Sequence, residues 1–172
     1  SLFGDEYAAM TEKYDGRGLY DEDSGHAFRP YVIKNVGGAR ICVVGQAFPR
    51  TANANPQEFF PDWSFGLRED DMIALVKSIR EDESPDAIVL LSHNGMDVDI
   101  KMAERVPGLN AVFGGHTHDG IPRPVEVKNV DGGTCLVTNA GSNSKYVGVM
   151  DFDIQGGELK GMEYKMLPII TD

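Results

Sequence analysis

Val89-Leu90-Leu91-Ser92-His93-Asn94-Gly95 and, further along, Val112-Phe113-Gly114-Gly115-His116-Thr117-His118-Asp119 decide how this chain is read. Each stretch is an apolar run that stops abruptly at glycine, histidine and small polar residues. Such a run reads as a buried strand that delivers imidazoles at its C-terminal end. In open α/β sheets that edge is where ligands bind. Three of the chain's four histidines lie in these two stretches. Neutral imidazole is the commonest metal-ligating side chain, so a metal site is the first expectation. The fourth histidine, His26, sits between Gly25 and Ala27 and reads as a solvated loop residue.

Working outward, Val98 to Val106 reads as a short helix ended by Pro107-Gly108, and Leu109 to Phe113 as the next strand. Strand, helix, strand in this order implies parallel neighbours joined by a right-handed crossover. Upstream, Leu67 to Glu83 is the clearest helix, with Met72, Ile73, Leu75, Val76 and Ile79 on one face. Glu69, Asp70 and Asp71 suit the positive end of its dipole, and Pro85 stops it before the strand Asp86 to Ser92. Tyr31 to Val36 and Ala39 to Gly45 form a hairpin around Gly37-Gly38. Between them and the helix runs a long loop, Gln46 to Gly66, carrying Phe48, Phe59, Phe60, Trp63 and Phe65. Those aromatics either wall a cleft or pin the loop to the core.

After Pro124 the pattern changes. Val125 to Val130, Thr134 to Asn139, Tyr146 to Ile154 and Leu159 to Leu167 read as meandering antiparallel strands, with turns at Asp131-Gly132-Gly133 and Gln155-Gly156-Gly157-Glu158. Residues 1–28 are polar and acidic and read as a poorly defined N-terminal segment, with one short helix over Ala8 to Tyr14. The whole, 1–172, is expected to form a single domain.

The 172 residues suffice for one core. A formal net charge of -11 argues against a nucleic-acid surface. No apolar segment is long enough to span a membrane, and no secretion-signal pattern opens the chain. Cys42 and Cys135 lie in strand-like runs and read as buried free thiols, which leaves the compartment open.

His116 and His118 are one residue apart and follow two glycines. A turn there lets the two rings address different sides of one site, with His93 arriving from the neighbouring strand. Three nitrogen donors suit zinc, manganese, iron, cobalt or nickel. Asn94 could hold a nucleophile or a ligand in place, or cap the turn. Asp119 could orient an imidazole from behind or cap the next turn. Arg123, and less strongly Arg50, could meet a tetrahedral oxyanion.

Ser92-His93-Asn94-Gly95 and Gly114-Gly115-His116-Thr117-His118 resemble the last two metal motifs of calcineurin-like metallophosphoesterases, and the spacing between them resembles the 5'-nucleotidase branch. Longer strings resemble the SoxB thiosulfohydrolases: Gly45-Gln46-Ala47-Phe48-Pro49, His93-Asn94-Gly95-Met96-Asp97-Val98-Asp99, Gly115 through Pro124, and Thr138 through Tyr146. The resemblance runs from about Phe28 to Pro168.

It implies an α/β fold, the C-terminal part of a four-layer α/β/β/α sandwich with a mixed sheet. It implies two divalent metal ions, Mn2+ by preference, with His93 and His116 on one ion and His118 on the other. It implies hydrolysis of a thiosulfonate on a carrier-protein cysteine, with SoxYZ as the carrier and the periplasm as the compartment. The family's first three motifs, an Asp-x-His, a bridging Asp and an Asn-His pair, are not found in this sequence, so those ligands are expected upstream. The alternatives are a 5'-nucleotidase or phosphodiesterase fragment, and a non-catalytic metal-binding or interaction module.

Overall fold

The computed structural model describes residues 29–59 and 64–170. The helix expected at Ala8 to Tyr14, His26, and Phe60 and Trp63 of the aromatic loop lie outside them. The chain divides into two units, Ser1–Val32 and Ile33–Asp172; the second carries everything that follows, apart from the start of the first strand.

Strand β1 (Tyr31–Val36) and β2 (Ala39–Gln46) flank Gly37 and Gly38. Both glycines have positive φ, 58° and 90°, as a two-residue type I′ turn requires. The loop after β2 is not bare. It holds one turn of helix, α1 (Thr51–Ala54), and a 3-10 turn, Gln57–Phe59.

Helix α2 (Glu69–Asp82) buries Met72, Val76 and Ile79, with Glu69, Asp70 and Asp71 in its first turn as expected. Ile73 and Leu75 are not buried and lie at the margins of that face. Then follow β3 (Ala87–Ser92), α3 (Met96–Arg105) and β4 (Ala111–Gly114). The chain closes with β5 (Val125–Lys128), β6 (Thr134–Asn139), β7 (Tyr146–Gln155) and β8 (Glu158–Pro168).

Six strands form one mixed sheet in the order β1-β2-β3-β4-β6-β5. β2, β3, β4 and β6 run parallel, and β5 is antiparallel to β6. β7 and β8 pair with each other as a separate two-stranded sheet. The expected antiparallel meander after Pro124 is therefore corrected. β6 crosses back to lie parallel to β4, with Ala111 beside Leu136 and Gly114 beside Asn139. Its residues from Cys135 to Asn139 are all buried. A strand covered on both faces reads as such a continuous run, not as an alternation.

Two successive crossovers in the same direction, β2 to β3 and β3 to β4, put α2 and α3 on one face of the sheet. An ion pair between Arg105 of α3 and Glu69 of α2, 3.2 Å, joins them. On the other face Ile41, Ala87, Val89 and Ala111 form a core onto which Met150, Phe152 and Ile154 of β7 and Leu159 and Met162 of β8 pack. Helices, main sheet and hairpin are three layers of the sandwich. Full burial of side chains such as Ile88, Leu90 and Val137 contributes about 1.5–3 kcal/mol each. No helix among the described residues is long and apolar enough to cross a membrane.

Candidate metal centre

Because β2, β3, β4 and β6 are parallel, the chain leaves all four at one edge. That edge gathers Gln46 at the end of β2 and Phe48 after it, His93 and Asn94 after β3, Gly115 to Asp119 after β4, and Asn139 at the end of β6. The His93 backbone N–H donates to the Gln46 carbonyl at 3.0 Å, which ties the first two loops together.

The third loop turns sharply. His116 has φ 73°, and the Thr117 N–H donates to the Gly115 carbonyl at 2.9 Å. A positive φ inside a bond that skips one residue is the strained form of γ-turn. His118 follows at φ 58°. Residues other than glycine adopt such angles uncommonly, at a cost of order 1–3 kcal/mol, and such strain clusters at functional sites.

The turn brings the His116 ring to 5.2 Å from the His93 ring, centroid to centroid. Gly115 makes the approach possible: a Cβ there would sit 3.2 Å from His93 Nδ1 and 3.4 Å from the Ser92 carbonyl. Phe48 lies over the pair. Its ring stacks on His116 at 4.0 Å and meets His93 edge-on at 6.3 Å. This places one of the loop aromatics at the site; Phe59, by contrast, is largely exposed. His93, His116 and His118 are all exposed to solvent.

The structure thus brings His93 and His116 together and leaves His118 outside the ring cluster. Among the described residues no group of three or more His, Cys, Asp or Glu is placed to hold a metal ion. Two adjacent, accessible imidazoles are two nitrogen donors, which fit a metal only as part of a larger ligand set.

The remaining expected residues fall as follows. Asn94 is buried, and its amide donates to Gln46 Oε1 at 2.7 Å; Gly95, not Asn94, occupies the N-cap of α3. The Asp119 carboxylate accepts from the Thr117 hydroxyl, and its carbonyl accepts from the Gly141 N–H at 2.8 Å. Arg123 is exposed between Ile121 and β5, and Arg50 is exposed at the start of α1.

Under the histidine loops lies a group that sequence reasoning missed. Asp99 of α3 is fully buried, and its Oδ1 accepts from the Ser92 hydroxyl at 2.5 Å. The Asn94 N–H donates to the same hydroxyl at 3.1 Å. Burial holds the Asp99 carboxyl above its ordinary range, against the pull of its hydrogen bond to Ser92. The sequence did carry a signal: Asp99 occupies the first position of an i, i+3, i+4, i+7 stripe otherwise made of Met102, Ala103 and Val106. A surface hollow of about 540 Å³ bordered by Arg80, Gly108, Asn110 and Asp131 lies at the opposite edge of the sheet and includes none of these groups.

A scan against protein-family models matches none. The chain is 29% identical to the protein UshA of Yersinia enterocolitica over 166 residues, covering 83% of this chain and 30% of that protein. Among solved structures it is similar to the Thermus thermophilus sulfate thiohydrolase SoxB in complex with glycerol, with a TM-score of 0.78 and 30% identity over 97% of this chain and 31% of that one. It is also similar to a 5'-nucleotidase precursor from Thermus thermophilus, with a TM-score of 0.71 and 27% identity over 88% of this chain and 32% of that one. The chain spans about a third of the length of the curated relatives it matches first. Its homologues and structural neighbours are UshA, 5'-nucleotidase and SoxB proteins of the metallophosphoesterase superfamily, and it corresponds to one part of them.

Proposed function

We propose that this chain contributes histidine ligands to a binuclear-metal hydrolase acting on a tetrahedral oxyanionic centre, and that the enzyme is a SoxB-type thiosulfohydrolase. The observation that carries the reading is the likeness to SoxB over 97% of the chain at a TM-score of 0.78. It is supported by the paired imidazoles of His93 and His116 at the edge where parallel sheets bind ligands. Leu91 also fits a part of a larger domain. It lies in a central strand, flanked by Gly45 and Phe113, yet is 56% exposed.

Two divalent cations, Mn2+ by resemblance, would supply a water of lowered pKa and neutralise the leaving oxyanion. The chain's own residues do the positioning. His93 and His116 present nitrogen donors, with His118 as a third donor on the same loop. Phe48 covers one face of the His116 ring and excludes water there. Arg123, exposed beyond the histidine turn, and Arg50 offer guanidinium groups that match a sulfonate. The substrate would be a thiosulfonate on a cysteine of the carrier SoxYZ, in the periplasm, with sulfate as product.

A 5'-nucleotidase is the second reading, favoured by the UshA and 5'-nucleotidase matches. The full-length gene product decides between them. Loaded with Mn2+, it should release sulfate from a carrier-bound thiosulfonate and little phosphate from AMP. Phosphate release from AMP as the dominant activity would replace the first reading by the second, and release of neither would remove both.

A further inference from the structure

We infer that Asp99 is a positioning residue for the histidine pair, acting through Ser92, Asn94 and Gly114 on the strand ends that carry His93 and His116. The inference rests on the reading of those histidines as ligands, and goes beyond it by naming what sets their spacing.

The argument starts from burial. A carboxyl group with no exposed surface is costly unless its oxygens are engaged. Asp99 Oδ1 is engaged by the Ser92 hydroxyl, the residue before His93. That hydroxyl also accepts the N–H of Asn94, the residue after His93. The backbone on both sides of His93 is thereby tied to one carboxyl group.

Asp99 Oδ2 faces the second strand end. A Cβ on Gly114 would overlap it and would lie 3.0 Å from the Thr138 carbonyl. Gly114 is two residues before His116, so β4 ends pressed against this carboxyl. Asn139 lies beside Gly114 in the register, and neighbouring residues of parallel strands share a face. Its side chain is therefore on the Asp99 side of the sheet.

Three buried polar atoms there, Asp99 Oδ2, Asn94 Oδ1 and Asn139 Nδ2, have no hydrogen-bond partner among the described residues. A half-satisfied buried polar cluster costs stability that an apolar residue on α3 would save. Met102 and Ala103 show that this face of the helix takes apolar residues. A carboxyl retained under two strand ends, at that cost, fits a group that fixes where those ends lie.

The test is histidine-ring NMR on the chain. In the parent protein the Phe48 stack should shift the His116 ring protons upfield, and the His93 and His116 rings should show mutual proximity. Asp99→Leu, which keeps the branch at Cγ but removes the acceptor, should abolish both signatures. Asp99→Asn, which keeps the acceptor for Ser92, should largely restore them. Ser92→Ala, a milder change that deletes the hydroxyl alone, should perturb His93 and so covers the case in which Asp99→Leu does not fold.

A role confined to stability predicts lower melting temperatures with native ring signals in every folded variant, and that result would overturn the inference. Mn2+ titration of the same samples separates the two claims. If the ring signals respond as expected but Mn2+ does not broaden His93 and His116 in the parent chain, the ligand reading fails and the positioning role stands.

Discussion

Phe48 stacks on His116 at 4.0 Å while His116 holds a backbone φ of 73°. One ring from the β2 loop thus lies on an imidazole whose own turn is strained, and the contact aims that imidazole at His93. Strain persists only where the surroundings over-determine it. Here the stack, the Gly115 approach and the bond from Thr117 to Gly115 do so.

That strain can be measured without the ring. His116→Gly and His116→Ala both remove the imidazole and the stack. Alanine must still sit at positive φ, whereas glycine is at ease there. We expect His116→Gly to be more stable than His116→Ala by about 1 kcal/mol, or about 2–4 °C in Tm for a chain of this size. This reverses the usual order for the two residues. Thermal unfolding of both variants checks it, and an alanine variant equal or superior in stability would mean that the turn relaxes at no cost.

Gly114 should be intolerant of any side chain. Gly114→Ala drives a methyl group into Asp99 Oδ2 and places it 3.0 Å from a backbone carbonyl that cannot swing away. Overpacking of this kind costs about 1–3 kcal/mol. In Asp99→Ala the first clash is gone, so the Gly114→Ala step should cost clearly less in that background. Urea denaturation of the parent, both single variants and the double variant gives the coupling directly. Strict additivity would mean that Asp99 and Gly114 do not touch in solution.

Much of this site was legible in the sequence, and the parts that were not share a cause. The strands carrying His93 and His116 are apolar runs with abrupt polar ends, so periodicity and composition marked them. Helix α2 was marked by its spacing and its acidic first turn. Asp99 was hidden because an acid in the first turn of a helix reads as a partner for the dipole; only its place in the stripe with Met102, Ala103 and Val106 distinguishes it. The Phe48 stack joins two loops, and loop conformation has no period to read. The parallel course of β6 was missed because Tyr146 to Ile154 and Leu159 to Leu167, which do form a hairpin, suggested one meander for the whole C-terminal part.

The raised pKa of Asp99 makes stability depend on pH in a stated direction. Burial favours its neutral form, so the folded chain binds this proton more tightly than the unfolded chain does. Below the unfolded carboxylate pKa both states are protonated and the contribution is fully present. As pH rises from there through the higher folded pKa the contribution is lost. Asp99→Asn cannot titrate, and its stability should lack that decline. Denaturation across acidic to neutral pH tests this, and parallel profiles for the two proteins would place the titration elsewhere.

The two cysteines should be silent. Burial pushes the Cys42 thiol up to about 11 and the Cys135 thiol up to about 12, so the reactive thiolate is scarce at neutral pH. Nor can they pair. Cys42 lies on β2 and Cys135 on β6, with β3 and β4 between them. Three strand spacings are roughly 14 Å, well beyond the reach of a disulfide. An oxidising compartment should therefore leave both reduced. A thiol reagent should label neither in the native chain and both after denaturation; rapid native labelling would show that the sheet opens at one of these strands.

Metal titration of the chain alone bears on the whole functional reading. Two imidazoles give too few donors for a tight site, and no larger group of ligating side chains occurs among the described residues. We expect one weakly held Mn2+ per chain, lost in His93→Ala and in His116→Ala, and no turnover of a thiosulfonate or a phosphoester. Isothermal titration with both substrates assayed alongside provides the check. Two tightly bound ions would mean that donors outside the described residues complete a centre within these 172 residues, and activity would then be expected of the chain itself.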